Sequence, residues 1–417
     1  MKLLVVTQYF WPENFRINDL VAELIRRGHQ VTVLTGLPNY PDGQVFSRFR
    51  EDPKQFAQYE GAEVVRVPMT ARGTGGIRLM LNYLSFAACA SILGPWRLRR
   101  QSFDAIFVYE PSPITVGIPA VVMRAVKRAP MAFWVQDLWP ETLEAIGVVR
   151  SPLILRAVGK LVSFIYKRCD VILAQSHSFI PQIRKYVPAN SRVEYFPGWA
   201  ESLFDTGLAV PADEVPVKPG SFNVMFAGNI GTAQDFPAIL AAAEALKEHT
   251  HIRWLIVGDG RMGDWVANEI TRRGLQDCVL LLGRHPLERM PSFFRHAQAL
   301  LVSLKDEPIF SMTIPSKLQS YLAAGIPVVA MLNGEGSDVV RSSGAGLVCA
   351  AGDHKGLAAA VLQMAHMSEQ ERDAMGRKGL AVSASEFDRA TLIGNLEKWI
   401  VQLVSATDAT AVSGRRS

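Results

Sequence analysis

The chain is poor in cysteine. Its four, Cys89, Cys169, Cys278 and Cys349, are scattered through 417 residues with no C-x-x-C pair. That spacing excludes a disulfide framework, offers no thiolate metal site and fits a reducing compartment. Long apolar runs are also missing. The most apolar stretch, residues 79–96, is broken by Asn82, Ser85, Gly94 and Pro95 and ends in the basic run Arg97-Leu98-Arg99-Arg100. It suits either an interfacial helix with basic anchors or a covered core helix better than a membrane span. A signal peptide is not expected, because Gln8 and the turn Trp11–Asn14 follow MKLLVV at once. Basic runs interleaved with aromatics are absent, so no nucleic-acid partner is expected. No short tandem repeat is visible.

What is present is a globular composition, 49% apolar and 20% charged, in a chain long enough for two cores. Charge is unevenly placed. Residues 1–205 hold 24 Lys+Arg against 17 Asp+Glu, whereas residues 206–417 hold 20 against 22. A basic first half points to an anionic partner such as lipid headgroups or pyrophosphate.

Short apolar runs such as Leu3–Thr7, Gln30–Thr35, Phe222–Ala227 and Pro327–Ala330 alternate with helical periodicity, which predicts α/β architecture with parallel sheets covered on both faces. The alternation stops at a stretch rich in Pro, Gly and acidic residues and then restarts. The expected organisation is a first domain over 1–200, a linker over 201–220 and a second domain over 221–389. A final amphipathic helix over 390–404 packs back onto the first domain, and 405–417 forms a disordered tail. Open parallel sheets bind ligands outside the carboxyl ends of their strands, so facing sheets would place a site in the cleft between domains. The loop over 36–59 is long enough to suggest function.

The stretch Lys305–Gly336 carries the densest chemistry. Pro315 fits a first helical position, and Ser316 and Lys317 then bring a hydroxyl, a cation and free N–H groups to one helix N-terminus, an anion site. Lys317 as a solvated first-turn lysine is the plainer alternative. Gly334 and Glu335 form a tight loop opening the next helix. Gly258-Asp259-Gly260-Arg261-Met262-Gly263 is a literal G-x-G-x-x-G, but no acidic residue ends the following strand, as a dinucleotide site requires. Asp137 follows a strand and precedes Trp139-Pro140; it suits either a base for an acceptor hydroxyl or a helix cap. His29 reads as structural.

Several loops resemble those of family 4 glycosyltransferases. The resemblance rests on Tyr9–Glu13, Arg27–Thr35 leading into Pro38–Pro41, Val135–Glu141, Phe226–Gly231, Ile256–Gly260, Pro315–Lys317, Tyr321–Val328 and Gly334–Gly336. These cover nearly the whole chain in family order, and the branch that includes colanic-acid and O-antigen enzymes, among them L-fucosamine transferases, is the most similar. The resemblance implies a GT-B fold of two facing Rossmann-like domains, a UDP- or GDP-sugar donor, no cofactor, no essential metal and retention of configuration. The absence of any Asp-x-Asp agrees with a metal-free site. It further implies a polyprenyl-diphosphate-linked acceptor and peripheral attachment at the cytoplasmic face of the inner membrane.

Donor contacts are expected from Gly228, Asn229, Gly231, Gln234, Gly258, Gly260, Lys305, Pro315, Ser316, Lys317, Gly334 and Glu335. Acceptor contacts are expected from Asn14, Arg16 and Trp139, with Asp137 catalytic. The sequence departs from the family where a pair of glutamates falls on Met312 and Ser320, an Arg and a Lys fall on Asn229 and Gln234, and a His falls on Gln136. A nucleotide-sugar 2-epimerase of the same fold and a two-lobed sugar-binding protein are the alternative readings.

Overall fold

The computed structural model describes every residue except 42, 74–75, 146–148, 150, 201–202, 205–208 and 414–417. The chain divides into two compact units, Met1–Phe196 with Ala390–Ser417, and Pro197–Arg389. Part of the stretch read as a linker, 201–220, lies outside the described residues.

The first unit is an eight-stranded sheet. Its strands are β1 (Lys2–Val6), β2 (Gln30–Thr35), β3 (Gln58–Tyr59), β4 (Ala62–Arg66), β5 (Ala105–Glu110), β6 (Met131–Val135), β7 (Val171–Ala174) and β8 (Val193–Tyr195), in the order β3-β4-β2-β1-β5-β6-β7-β8. Only β3 runs antiparallel. It is joined to β4 by Glu60 and Gly61, both at positive φ, the backbone a two-residue hairpin turn requires. The loop over 36–59 thus contains a helix, Ser47–Glu51, and this hairpin. Strands such as β5 and β6 are apolar almost throughout and fully buried, as strands covered on both faces must be.

The second unit holds β9 (Phe222–Ala227), β10 (Ile252–Val257), β11 (Val279–Leu281), β12 (Ala299–Ser303), β13 (Val328–Met331) and β14 (Gly346–Cys349), ordered β11-β10-β9-β12-β13-β14. Along β9 the side chains alternate between two cores. Val224 and Phe226 join Phe236, Trp254 and Val361 on one face. Met225 and Ala227 join Leu255, Leu318 and Tyr321 on the other.

Each sheet has one switch point, where successive strands depart in opposite directions and a crevice opens. It lies between β1 and β5 in the first unit and between β9 and β12 in the second.

The last helix, Arg389–Ser413, continues through residues read as a disordered tail; 414–417 lie outside the described residues. Apolar positions through 404 hold its earlier turns. Leu392, Ile393, Leu396 and Ile400 are buried, and Trp399 meets Phe196 edge-on. Glu397 binds Arg27 Nη1 and His29 Nε2, both at 2.6 Å. His29 is therefore a structural clamp on this helix.

Candidate active site

In the second unit the loops after β9 and β10 interlock through glycine. A Cβ on Gly258 would lie 1.9 Å from the Gly228 carbonyl oxygen, and one on Gly228 would lie 2.5 Å from Lys317 Cε. Both residues have positive φ, so glycine alone meets the geometry. The G-x-G-x-x-G stretch thus packs against its neighbouring loop: Ile230 N donates to Asp259 O at 2.8 Å, and Gly260 faces Asn229 Oδ1. Gln234 is also spent locally. Its Oε1 accepts from Gly231 N at 3.1 Å, which shapes the Gly228–Gly231 loop. Across the switch point, Ser303 Oγ donates to Gln234 O and Lys305 N donates to Ala233 O. The Lys305 side chain is exposed at the end of β12.

The helix Ser316–Ala323 begins beside this loop. Pro315 is its N-cap, at ψ 132°, and not its first helical residue; Ser316 takes that place and is exposed. Lys317 reaches back over the Phe226 ring, with Nζ 3.7 Å from the centroid. The residue as a whole is partly exposed, but Nζ is shut off from solvent and has no hydrogen-bond partner. Burial lowers its pKa from 10.5 to about 7. An unpaired buried ammonium at a helix N-terminus is costly without an anion and favourable with one. Tyr321, four residues on, pins the same helix to β9: Ala227 N donates to its hydroxyl at 3.0 Å. Gly334, at positive φ, caps the helix Glu335–Ser343. A Cβ there would strike Ser311 O at 1.9 Å, and Gly336 lies against Pro315. The half-buried Glu335 therefore opens a second helix beside the 311–315 loop. Ser320, at one missing-glutamate position, donates to Ser316 O in its own helix.

The first unit gathers a polar cluster at its switch point. Glu13 is buried and accepts from Phe10 N, Asn39 N and Tyr40 N, which ties the loop after β1 to the loop after β2. Burial raises its pKa to about 7, against the pull of those three donors. Asn82 accepts from Gln8 Nε2 and the Tyr9 hydroxyl and donates to Thr70 O. Arg72 Nη1 donates to the Tyr9 hydroxyl at 3.0 Å, and its guanidinium lies 5.2 Å from the Tyr40 ring centroid. None of the ion pairs among the described residues involves Arg72, so this half-buried cation rests on neutral hydroxyls and rings. Asn14 is exposed, and Arg16 opens the helix Arg16–Arg26 with its charge felt at Tyr109.

Asp137 follows β6. Its carboxylate accepts from Trp139 Nε1 at 3.2 Å and from the Thr142 and Ser112 hydroxyls. Burial raises its pKa, and these donors oppose the rise. Trp139 is 8% exposed and meets Tyr83 edge-on. Its indole N–H is committed to Asp137, so Trp139 positions the carboxylate. Behind them Glu110 ends β5, fully buried. Its Oε2 accepts from Asp137 N at 3.4 Å and its Oε1 has no partner. Burial, with the charge of Asp137 added, holds it well above the usual carboxylate range. Glu13, Arg72, Tyr83 and Glu110 were not singled out from sequence; the one available signal was a carboxylate at the end of an apolar strand, at Glu110. A cavity of about 550 Å³ lined by Phe222, Phe294, Gly325 and Arg372 opens at the amino ends of the second unit's strands, away from this chemistry.

Comparison with known proteins follows the same division. Residues 14–199 match the glycosyl transferase 4-like domain family, and residues 221–367 match the glycosyl transferases group 1 family. WcaI of Escherichia coli (strain K12), assigned to colanic acid biosynthesis as a glycosyl transferase, is 22% identical over 339 residues, covering 78% of this chain and 82% of its own. Among solved structures, Anabaena HepE in complex with UDP superposes with a TM-score of 0.68 at 15% identity, covering 96% of this chain and 100% of that one. WaaG, a glycosyltransferase involved in lipopolysaccharide biosynthesis, gives 0.66 at 13% identity over 96% and 99% of the two chains. Neither the epimerase nor the binding-protein reading is favoured by these matches. Two Rossmann-like parallel-sheet units, each matching its own glycosyl transferase family, make this chain a GT-B glycosyltransferase of the family 4 type.

Proposed function

We propose that the enzyme transfers a sugar, with retention, from a UDP- or GDP-sugar to a polyprenyl-diphosphate-linked glycan in surface-polysaccharide assembly at the cytoplasmic face of the membrane. The observation that carries the donor half is the buried, unpaired Lys317 Nζ at the start of the Ser316–Ala323 helix, against Gly228. As the bond from the anomeric carbon to the β-phosphate oxygen breaks, its electron pair stays on that oxygen. Lys317, the Ser316 hydroxyl and backbone N–H groups around Asn229–Gly231 stabilise the charge there without a metal, with Lys305 beside them. Glu335, next to Gly334, accepts hydrogen bonds from the donor sugar's hydroxyls. HepE, solved with UDP and with UDP-glucose, supports a nucleotide-sugar donor, and WcaI supports the polysaccharide setting.

In the acceptor half, Asp137 has lone pairs left beyond its three side-chain donors and takes the hydrogen bond of the attacking hydroxyl. Asn14, Arg16 and Arg72 are the groups this unit offers to the acceptor's diphosphate. The test is a thermal-shift screen across UDP-, GDP- and dTDP-sugars, followed by transfer assays with the stabilising donor and polyprenyl-diphosphate or lipid-free glycans. A donor that stabilises the protein and is turned over only with the lipid-linked acceptor is expected. Transfer to lipid-free glycans alone would overturn the acceptor assignment.

A further inference from the structure

Three helices on one side of the first unit's sheet share a composition that its fold does not require. They are Gly76–Arg97, Gly117–Lys127 and Pro152–Tyr166, and the middle one packs against both others. Residues 76–100, 117–128 and 151–168 contain 11 Lys+Arg and not one Asp or Glu. In the helix Gly76–Arg97 a single stripe is buried, formed by Asn82, Phe86, Ala87, Ala90 and Gly94. The rest of that helix carries large apolar side chains into solvent: Ile77 is 74% exposed, Ile92 72% and Trp96 61%. On the helix Pro152–Tyr166, Leu153 is 69% exposed, and Ile154 and Phe164 are exposed as well. Cations lie over two of the outward rings, Arg99 over Trp96 at 4.9 Å and Arg168 over Phe164 at 3.7 Å.

A cluster of outward leucines, isoleucines and aromatics of this kind marks an interaction surface. The charge identifies the partner. A second copy of the same face would bring like charges together, which disfavours an isologous dimer. An anionic bilayer supplies both an apolar layer for the side chains and negative headgroups for the arginines and lysines. Aromatic rings under guanidinium groups suit the boundary of those two layers.

We propose that the face formed by these three helices seats the enzyme on an anionic phospholipid surface, with Ile77, Ile92, Trp96 and Leu153 entering the headgroup boundary and the basic residues holding the phosphates. The inference rests on the peripheral-membrane reading above and assigns it to particular side chains. It also resolves the sequence alternatives for residues 79–96: one stripe of the helix is core, and the remainder faces a lipid surface.

The test is flotation of the full chain with phosphatidylcholine vesicles, with and without phosphatidylglycerol, at low and high salt. Wild type is expected to float with the anionic vesicles and to be released by salt. Ile92→Glu with Leu153→Glu, and separately Arg99→Glu with Arg168→Glu, are expected to weaken flotation by at least about tenfold. Lys355→Glu, an exposed residue of the second unit, should leave it unchanged. All variants should keep the wild-type melting temperature and the same stabilisation by a UDP-sugar. If wild type floats and the face variants float equally well, the face assignment is wrong while the membrane reading stands. If wild type floats with neither vesicle, both fall. If light scattering instead shows a dimer that Ile92→Glu dissolves, the face is a subunit interface and the proposal is overturned.

Discussion

Replacing Lys317 with methionine should stabilise the protein and disable it. The side chain keeps its length and its contact with Phe226, but the charge is gone. A fall in pKa from 10.5 to about 7 corresponds to roughly 4–5 kcal/mol of destabilisation of the ammonium form, at about 1.4 kcal/mol per unit. The sign follows from proton counting. Between pH 7 and 10.5 the unfolded chain holds a proton that folded Lys317 sheds, so wild-type stability rises with pH across that window. Below about pH 7 the penalty is present in full. Lys317→Met removes it, so denaturant melts should show a more stable variant, with the gap widest near neutrality and shrinking by pH 9.

Binding of an anionic donor reverses the balance, because the diphosphate favours the charged amine. A UDP-sugar, whose diphosphate does not titrate near neutrality, should bind wild type more weakly as pH rises above 7, by up to about tenfold per unit. Calorimetry in buffers of differing ionisation enthalpy should report proton uptake on binding. The methionine variant should bind weakly, with no pH dependence. The reasoning is refuted if Lys317→Met melts earlier than wild type, or if it binds the UDP-sugar as wild type does.

Other substitutions probe the remaining geometry. Gly258→Ala puts a methyl where only 1.9 Å separates it from the Gly228 carbonyl; a loss of about 2–4 kcal/mol in denaturant melts is expected, with donor binding weakened as the loop shifts. Asp137→Asn should lower kcat by about 100-fold or more while donor affinity holds, and unaltered turnover would dismiss Asp137 as catalytic. Arg72→Met should raise the KM of a diphosphate-linked acceptor and leave donor stabilisation intact, as read from steady-state kinetics beside thermal shift. Glu397→Gln breaks charge-assisted bonds to Arg27 and His29 and should cost about 1–3 kcal/mol, measured by chemical denaturation.

The strands and their parallel pairing, though not their order, were legible because buried β-runs announce themselves in sequence, as β1, β5 and β9 do. The loops after them were legible as locations, since ligand crevices follow strand ends. What side chains do inside those loops was far less so. Trp139 Nε1 and Gln234 Oε1 are engaged by Asp137 and Gly231, because a polar group near a tight loop finds backbone and neighbours first. The contacts that Arg72, Asn82 and Glu13 make could not be read from the sequence. Asn82 meets Gln8 and Tyr9 across more than seventy positions, and no local pattern encodes such a meeting. Pro315 was displaced by one position, the usual uncertainty of a helix start. The basic bias of the first half was visible as a count, but its confinement to three adjacent helices emerged only once the sheet order was known.

The helix Arg389–Ser413 has a bearing on how the protein is made. The first unit is written in two instalments, with the whole second unit between them. When residues 1–196 have left the ribosome, the surface that will receive Leu396 and Trp399 is still bare, and Arg27 and His29 lack Glu397. That apolar surface stays open until residues 390–404 are synthesised, after the intervening 197–389 have emerged. Closing so long an unfolded connection would cost on the order of 4–5 kcal/mol in chain entropy beyond the constant term. Folding of the second unit first replaces that floppy connection with a compact body, so the order of synthesis favours a sequence in which the second unit settles before the first is sealed.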